Sequence, residues 1–564
     1  MGGEAPIFPF FGKKEPEELV SKFARLFASI KKSGTFVPRR TLVSPLSEQK
    51  SAERAAWVFG TFSSGLTSPV KEFYKAIEED YIKDKKEFMD QCLGVFTEDK
   101  TLKNKVFPHP FIANSAITDW KRMLCELKIK NIQDLYSDIP TKFLLKRKLN
   151  LAGPFSELET FKHVSKITSR NRSYRDMSVF VGAGAWLHYI PAAVSEIISR
   201  SEFLTSYTQY QPEASQGMLM ALFEYQSLIA ELLEMDVANA SMYDWATALG
   251  EAGRMSGRLT RRSEVVIPRF TSPDRRATLQ TYIDPIGMRT VDVAQSREDG
   301  QIVLENLKEK VSSNTAAVYL ENPSYLGFLE TEVDALAEIS HDAGALFIVG
   351  VDPTSLGIVR SPGDYRADIV VGEGQPFGNP VNFGGPLLGI LACKNDIKMI
   401  RAMPGRIIGM TTTVDEKQRA FVMSLQTREQ HIRRGEATSN ICTNNALCAL
   451  ASAVYLSLLG KSGIRGLSEH ILAKTKYAIK KFSSIDGIDV PLFKAPHFKE
   501  FTIRFKRRHA DDVLRELLEH NICGGKSLVP EFPEFGESVL VCVTELHSKQ
   551  QIDNYVDALD RLLR

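Results

Sequence analysis

Short, continuous apolar runs spaced by helix-periodic stretches predict an α/β fold: a mostly parallel sheet covered by helices on both faces. The runs are Val265–Pro268, Ala316–Leu320, Ala345–Val349, Ile369–Val371 and Leu387–Leu391. A strand buried on both faces has no reason to alternate polar with apolar residues, so unbroken runs of this kind read as parallel strands under helices. Two further observations set the surroundings of that sheet. A long helical stretch followed by two more β-rich runs predicts a smaller α+β domain at the C-terminal end. A Lys-, Glu- and Phe-rich opening with proline-marked joints predicts a separate helical module in front.

Taken in order, residues 1–108 form that module, and no role is assigned to it. After Pro16, the side chains Leu19, Val20, Phe23, Leu26, Phe27 and Ile30 recur at helical spacing, with Lys22, Arg25, Lys31 and Lys32 on the other side. Such a stripe either packs on the rest of the protein or lies on a membrane surface. Residues 109–164 read as an arm, with a helix from Thr118 capped by Asp119 and a second short helix within Asn131–Pro140. Residues 165–420 form the large domain, which opens its regular α/β pattern with a helix over 217–235. The remaining 421–564 hold linking helices, a helical stretch from about 416 to 482, and the small domain with strands near Phe501–Phe505 and Val539–Val543.

At 564 residues the chain is too long for one ordinary core, and 43% hydrophobic with 25% charged residues is the profile of a globular protein. Lys plus Arg number 71 against 69 for Asp plus Glu, and a net charge of +2 provides no field for gripping nucleic acid. The seven cysteines show neither a C-x-x-C pair nor zinc-site spacing, which predicts reduced thiols and no metal. No apolar run is read as approaching the roughly twenty residues of a membrane span. Cytoplasmic residence is the expectation.

Two Gly-Lys-Ser tripeptides, at Gly460 and Gly525, lack the earlier glycine of a phosphate loop, since Tyr455 and His520 stand at that place. Gly182-Ala-Gly184 fails as a dinucleotide fingerprint because position 187 is Leu. Asp352 ends a strand and begins an Asp-Pro-Thr-Ser turn. It either caps that turn or faces a pyridinium nitrogen, whose protonation it would hold. The loop Ser206–Gly217, with two tyrosines and several amides, reads as a binding loop or as the capping segment of the helix that follows. The run Thr427–Arg434 is either a solvated charged face or part of a site. Most informative is Asp368–Gly378, where an apolar strand enters a Gly-rich loop. A pyridoxal-phosphate enzyme keeps its cofactor-anchoring amine in such a place, and here Gln375 occupies it. A carboxamide is neither basic nor nucleophilic and forms no Schiff base.

These pieces together resemble the glycine cleavage P-protein family, and within it the N-terminal half or separate subunit 1. The resemblance is carried by FVGAGAWLHYIP (180–191), YTQYQPEASQG (207–217), LFEYQ (222–226), ANASMYD (238–244), GEGQPFG (372–378), FGGP (383–386), REQHIRR (428–434) and ATSNICTN (437–444), within roughly residues 110 to 564. It implies a fold-type-I, PLP-dependent transferase-like large domain. It also implies a subunit that lacks the cofactor lysine, which a lysine-bearing subunit 2 supplies as the Schiff base to pyridoxal 5'-phosphate in an α2β2 assembly with its active site at the interface. In the family's reaction glycine loses its carboxylate as carbon dioxide, and the aminomethyl group passes to the lipoyl group of H-protein.

The same resemblance implies that Tyr207 and Tyr210 approach the substrate, with His188, Asn322 and Arg433 as further pocket candidates and Asp352 as the cofactor-facing carboxylate of a pseudo-site. Gln209 departs from the family pattern where a proline is common, and Trp245 departs where a small residue is common; Trp245 is expected to narrow the local cavity. Two alternatives stand beside this reading. One is a non-catalytic structural or regulatory pseudo-subunit. The other is a self-sufficient enzyme using Lys394 or Lys398, which the strand direction disfavours.

Overall fold

The computed structural model describes residues 111–147, 149–205, 211–382, 385–441 and 445–564. The expected module 1–108, with its stripe after Pro16, lies outside them, and so do Tyr207, Gln209 and Tyr210. Two compact units divide between Pro154 and Phe155. In the first, a helix spans Ile117–Glu126, but its cap position is Ala116. Asp119 sits in the first turn and ties Arg122 at 3.1 Å instead of capping. The short helix expected next is a 3-10 turn, Ile132–Tyr136, closed by reciprocal bonds between Asn131 and Asp134.

The second unit contains β1 (Ser178–Val179), β2 (Val237–Ala238), β3 (Glu264–Pro268), β4 (Arg289–Val293), β5 (Thr315–Glu321), β6 (Leu346–Val351), β7 (Ile369–Glu373) and β8 (Gly389–Cys393). The main sheet has the order β2-β8-β7-β6-β5-β3-β4. Pairings among β3 to β7 are parallel, while β8 runs antiparallel to β7 and β2. Every residue of β3, β5, β7 and β8 is buried, which is why these segments read as unbroken apolar runs. The two-residue period divides them between two cores. Val266, Val318, Val349 and Val370 face one, while Val265, Ala317, Ile348 and Ile369 face the other.

The stretch after residue 416, expected to be helical, opens instead as a strand. β9 (Ile407–Thr412) and β10 (Arg419–Ser424) form an antiparallel hairpin in which Phe421 and Met423 are buried while Val422, between them, is exposed. That is a two-residue alternation, and it overrides the helical reading. Helix Ala446–Phe482 follows, and it corrects the expectation about apolar length. By length and composition it passes as a membrane span. Gly460, at φ 59° and ψ −176°, divides it, however. The segment before that break is roughly 20 Å long, short of a bilayer core, and its Ala449, Leu450, Ala453 and Leu456 fill the core of the sheet.

β11 (Ile488–Asp489), β12 (Glu500–Phe505), β14 (Lys526–Ser527) and β15 (Ser538–Cys542) make the antiparallel small-domain sheet, in the order β11-β12-β15-β14. β13 (Ile522–Cys523) pairs in parallel with β1. The carboxyl ends of β5, β6 and β7 lie side by side, the place where an open α/β sheet presents its ligand groups.

Candidate active site

Gln375 follows β7 and is 1% exposed. Its Oε1 accepts the Trp186 N–H at 3.0 Å and its Nε2 donates to the Asn379 carbonyl at 2.6 Å, so the carboxamide is engaged at both ends. Two residues earlier, Glu373 is fully buried and accepts three backbone N–H groups: Leu388 at 2.8 Å, Gln375 at 3.0 Å and Trp245 at 3.2 Å. The last of these belongs to the first residue of helix Trp245–Thr260, whose N-terminus favours an anion. Burial pushes the Glu373 carboxyl up to about 7, against those three donors.

Asp352, at the end of β6, does two things at once. Its Oδ1 accepts from the Thr354 N–H at 3.1 Å and from the Thr354 hydroxyl at 2.7 Å, capping the 3-10 turn Pro353–Gly357. Its Oδ2 lies 2.7 Å from the ammonium of Lys499, a residue just ahead of β12. That ammonium also reaches Thr354 Oγ1 at 3.3 Å and His188 Nε2 at 3.2 Å, and it stands 3.7 Å from the centre of the Trp186 ring. Three donors thus meet three acceptors, and the cation rests on an aromatic face. Because an ammonium only donates, His188 Nε2 accepts, which puts the ring proton on Nδ1, 2.8 Å from Glu545 Oε2.

A second buried ion pair repeats the arrangement. Arg275 lies 3.1 Å from Glu321 Oε2, at the end of β5, and 3.4 Å from the centre of the Trp245 ring. The indole N–H of Trp245 donates to Tyr319 Oη at 3.0 Å. Above both pairs, the Ala183 N–H donates to Glu500 Oε1 at 2.6 Å, and burial pushes that carboxyl above its ordinary range. Trp186, Trp245, Arg275, Pro323, Tyr325, Asp352, Lys499 and Glu500 line what space remains. That space is about 10 Å³, roughly one water molecule. The pocket does not fit pyridoxal phosphate. No amine stands at position 375, Asp352 is taken by Lys499, and the volume excludes an aromatic ring.

Three sequence candidates come together here. Gln375, Asp352 and His188 meet through Trp186 and Lys499. Asn322 is buried after β5, with its N–H on the Gly350 carbonyl at 2.9 Å, but its side chain turns to Glu330, whose N–H its Oδ1 accepts at 3.2 Å. Arg433 does not join them. It is exposed on the short helix Gln430–Arg433, 3.7 Å from Glu436. Lys394 pairs with Asp368 at 2.7 Å, and Cys393 lies opposite Ile369, at the far end of β7 from Gln375. Trp245 fills the cavity it was expected to narrow. Sequence reading passed over Lys499, Glu373, Arg275 and Glu321. Their signal was present as charges set among apolar neighbours, Glu373 closing Ile369–Gly372 and Lys499-Glu500 between Phe498 and Phe501.

Comparison with known proteins agrees with this architecture. The family model described as glycine cleavage system P-protein matches residues 110–559. A protein of Thermococcus onnurineus named probable glycine dehydrogenase (decarboxylating) subunit 1 is 51% identical over 449 residues, covering 80% of this chain and 98% of its own length. A crystal structure of glycine decarboxylase (P-protein) of the glycine cleavage system, in inhibitor-bound form, is 34% identical with a TM-score of 0.71. It covers 81% of this chain and 100% of that one. A sphingosine-1-phosphate lyase of Burkholderia pseudomallei shares the fold at 13% identity and TM-score 0.56, covering 76% of this chain and 94% of that one. The lysine-less strand end, the narrow pocket beside it and these matches lead to one assignment: the chain belongs to the glycine cleavage system P-protein family.

Proposed function

We propose that this chain is the lysine-less subunit of a heteromeric glycine dehydrogenase (decarboxylating). A second, lysine-bearing subunit completes it, in an α2β2 assembly that decarboxylates glycine and passes the aminomethyl group to lipoylated H-protein. The observation that carries the proposal is Gln375, an engaged carboxamide where the anchoring amine would stand. Pyridoxal 5'-phosphate, held as a Schiff base by the partner subunit's lysine, supplies the electron sink for loss of the carboxylate.

This chain's part is to shape the substrate side of the shared pocket. Tyr207 and Tyr210 orient glycine and exclude water. Among the described candidates, Arg433 is the exposed one, available to a carboxylate presented by another chain. His188, Asn322 and Asp352 are engaged in the interior and position the loops around them.

Mixing the chain with a lysine-bearing subunit 2, pyridoxal phosphate and lipoylated H-protein tests the proposal. Glycine–carbonate exchange is expected from the mixture and from neither subunit alone. Exchange by subunit 2 alone at the full rate makes this chain a non-catalytic companion, and labelled carbon dioxide released from glycine by this chain with H-protein alone refutes the division of labour.

A further inference from the structure

The pocket beside Gln375 holds two buried ion pairs, Asp352 with Lys499 and Glu321 with Arg275, at the carboxyl ends of β6 and β5, where an open α/β sheet presents its ligand groups. Asp352 has the carboxylate that would hold a ring nitrogen protonated. Helix Trp245–Thr260 points its N-terminus, which favours an anion, at the same loop. In this chain each is met from inside. The ammonium of Lys499 stands 2.7 Å from Asp352 and the carboxylate of Glu373 takes the Trp245 N–H at 3.2 Å. The faces of Trp186 and Trp245 lie against the two buried cations at 3.7 and 3.4 Å, and about 10 Å³ is left over.

We propose that Lys499 replaces the cofactor in this chain: its ammonium supplies Asp352 with the positive charge a protonated pyridine ring would supply, and Trp186 and Trp245 fill the ring's volume. The pocket is then a finished piece of core, closed to ligand and complete without one. It also joins the two larger sheets of the second unit, because Asp352 directly follows β6 of the seven-stranded sheet and Lys499 directly precedes β12 of the four-stranded one. This inference concerns the chain's own interior and stands whatever reaction the assembled enzyme performs.

Two measurements on the full-length chain test it. First, mass spectrometry after reductive methylation of the folded wild-type protein should show Lys499 unmodified while exposed lysines such as Lys461 react. Pyridoxal phosphate followed by borohydride should leave no adduct on Lys499. Methylation of Lys499 at the rate of surface lysines, or an adduct there, overturns the proposal. Second, urea unfolding of Lys499→Met, Asp352→Asn and the double variant forms a cycle. Each single change strands one member of a buried pair and should lower the folding constant roughly a hundredfold to a thousandfold. The double variant, neutral and of similar volume, should recover most of that loss. Single variants as stable as wild type, or a double variant no more stable than Lys499→Met, overturn it.

Discussion

Gln375 shows how much one side chain settles. Its amide oxygen satisfies the Trp186 N–H and its amide nitrogen the Asn379 carbonyl, so restoring a lysine there would not restore a cofactor site. Gln375→Lys is expected to give no absorbance band with pyridoxal phosphate, because the neighbouring space holds about one water. It should instead lower stability by at least roughly 2 kcal/mol, read from urea unfolding, since the Trp186 N–H loses its acceptor and an ammonium is buried. His497 sets a different residue-scale expectation. Burial lowers its pKa from 6.5 to about 4; its Nδ1 bonds the Ala495 carbonyl at 2.8 Å. As pH falls below 6.5 the unfolded chain takes up this proton first, so stability is complete above 6.5 and is lost on the way down to about 4. Glu373, raised to about 7, works in the opposite sense between its ordinary value and 7. The difference between wild type and His497→Asn isolates the imidazole. Relative to the variant, wild type should lose on the order of 3 kcal/mol between pH 7 and pH 4 in chemical unfolding.

Elements are placed by close approaches that only a few residues permit. Gly327 turns at φ +94° after β5, and a Cβ there would run into the Glu500 backbone carbonyl at the start of β12. Gly460 breaks the long helix at φ +59°, where a Cβ would meet nothing within 4 Å. The two therefore separate conformational from steric cost. Gly460→Ala should destabilise by about 1–3 kcal/mol. Gly327→Ala should cost more, because the small-domain strand must also move, and thermal unfolding of the pair measures the order. A Gly327 variant less damaging than its Gly460 counterpart would contradict this packing. The hairpin β9–β10 teaches a related lesson. Residues 419–424 lie within the stretch expected to be helical, and pairing with β9 gives them a two-residue period instead, with Phe421 and Met423 buried and Val422 exposed.

At the scale of the whole molecule, the narrow pocket has room for about one water, which is the reason the proposal above places the chemistry in an assembly. Borohydride reduction of the reconstituted enzyme should place all bound pyridoxal phosphate on the second subunit, at one per pair of chains, as counted by absorbance and peptide mapping. A label on this chain would refute that count. Tyr207→Phe and Tyr210→Phe should each lower the exchange rate by about tenfold or more while leaving co-elution of the subunits intact. Unchanged exchange in both removes the loop from the substrate's surroundings.

The chain's order of residues was enough to determine the mostly parallel sheet, because strands buried on both faces need unbroken apolar runs, and to place a glutamine rather than a lysine after β7, because a residue's identity needs no geometry to be noticed. It was enough as well to single out Asp352, at a strand end, and His188 as residues to look for in the fold. What each of them meets was decided only by folding. Lys499 and Asp352 are far apart along the chain and adjoin different sheets, and each looks like an ordinary strand-end charge until the two sheets meet. Periodicity reports which face of an element is buried. It carries no information about which buried charge will find which partner, and that pairing is what closes the pocket.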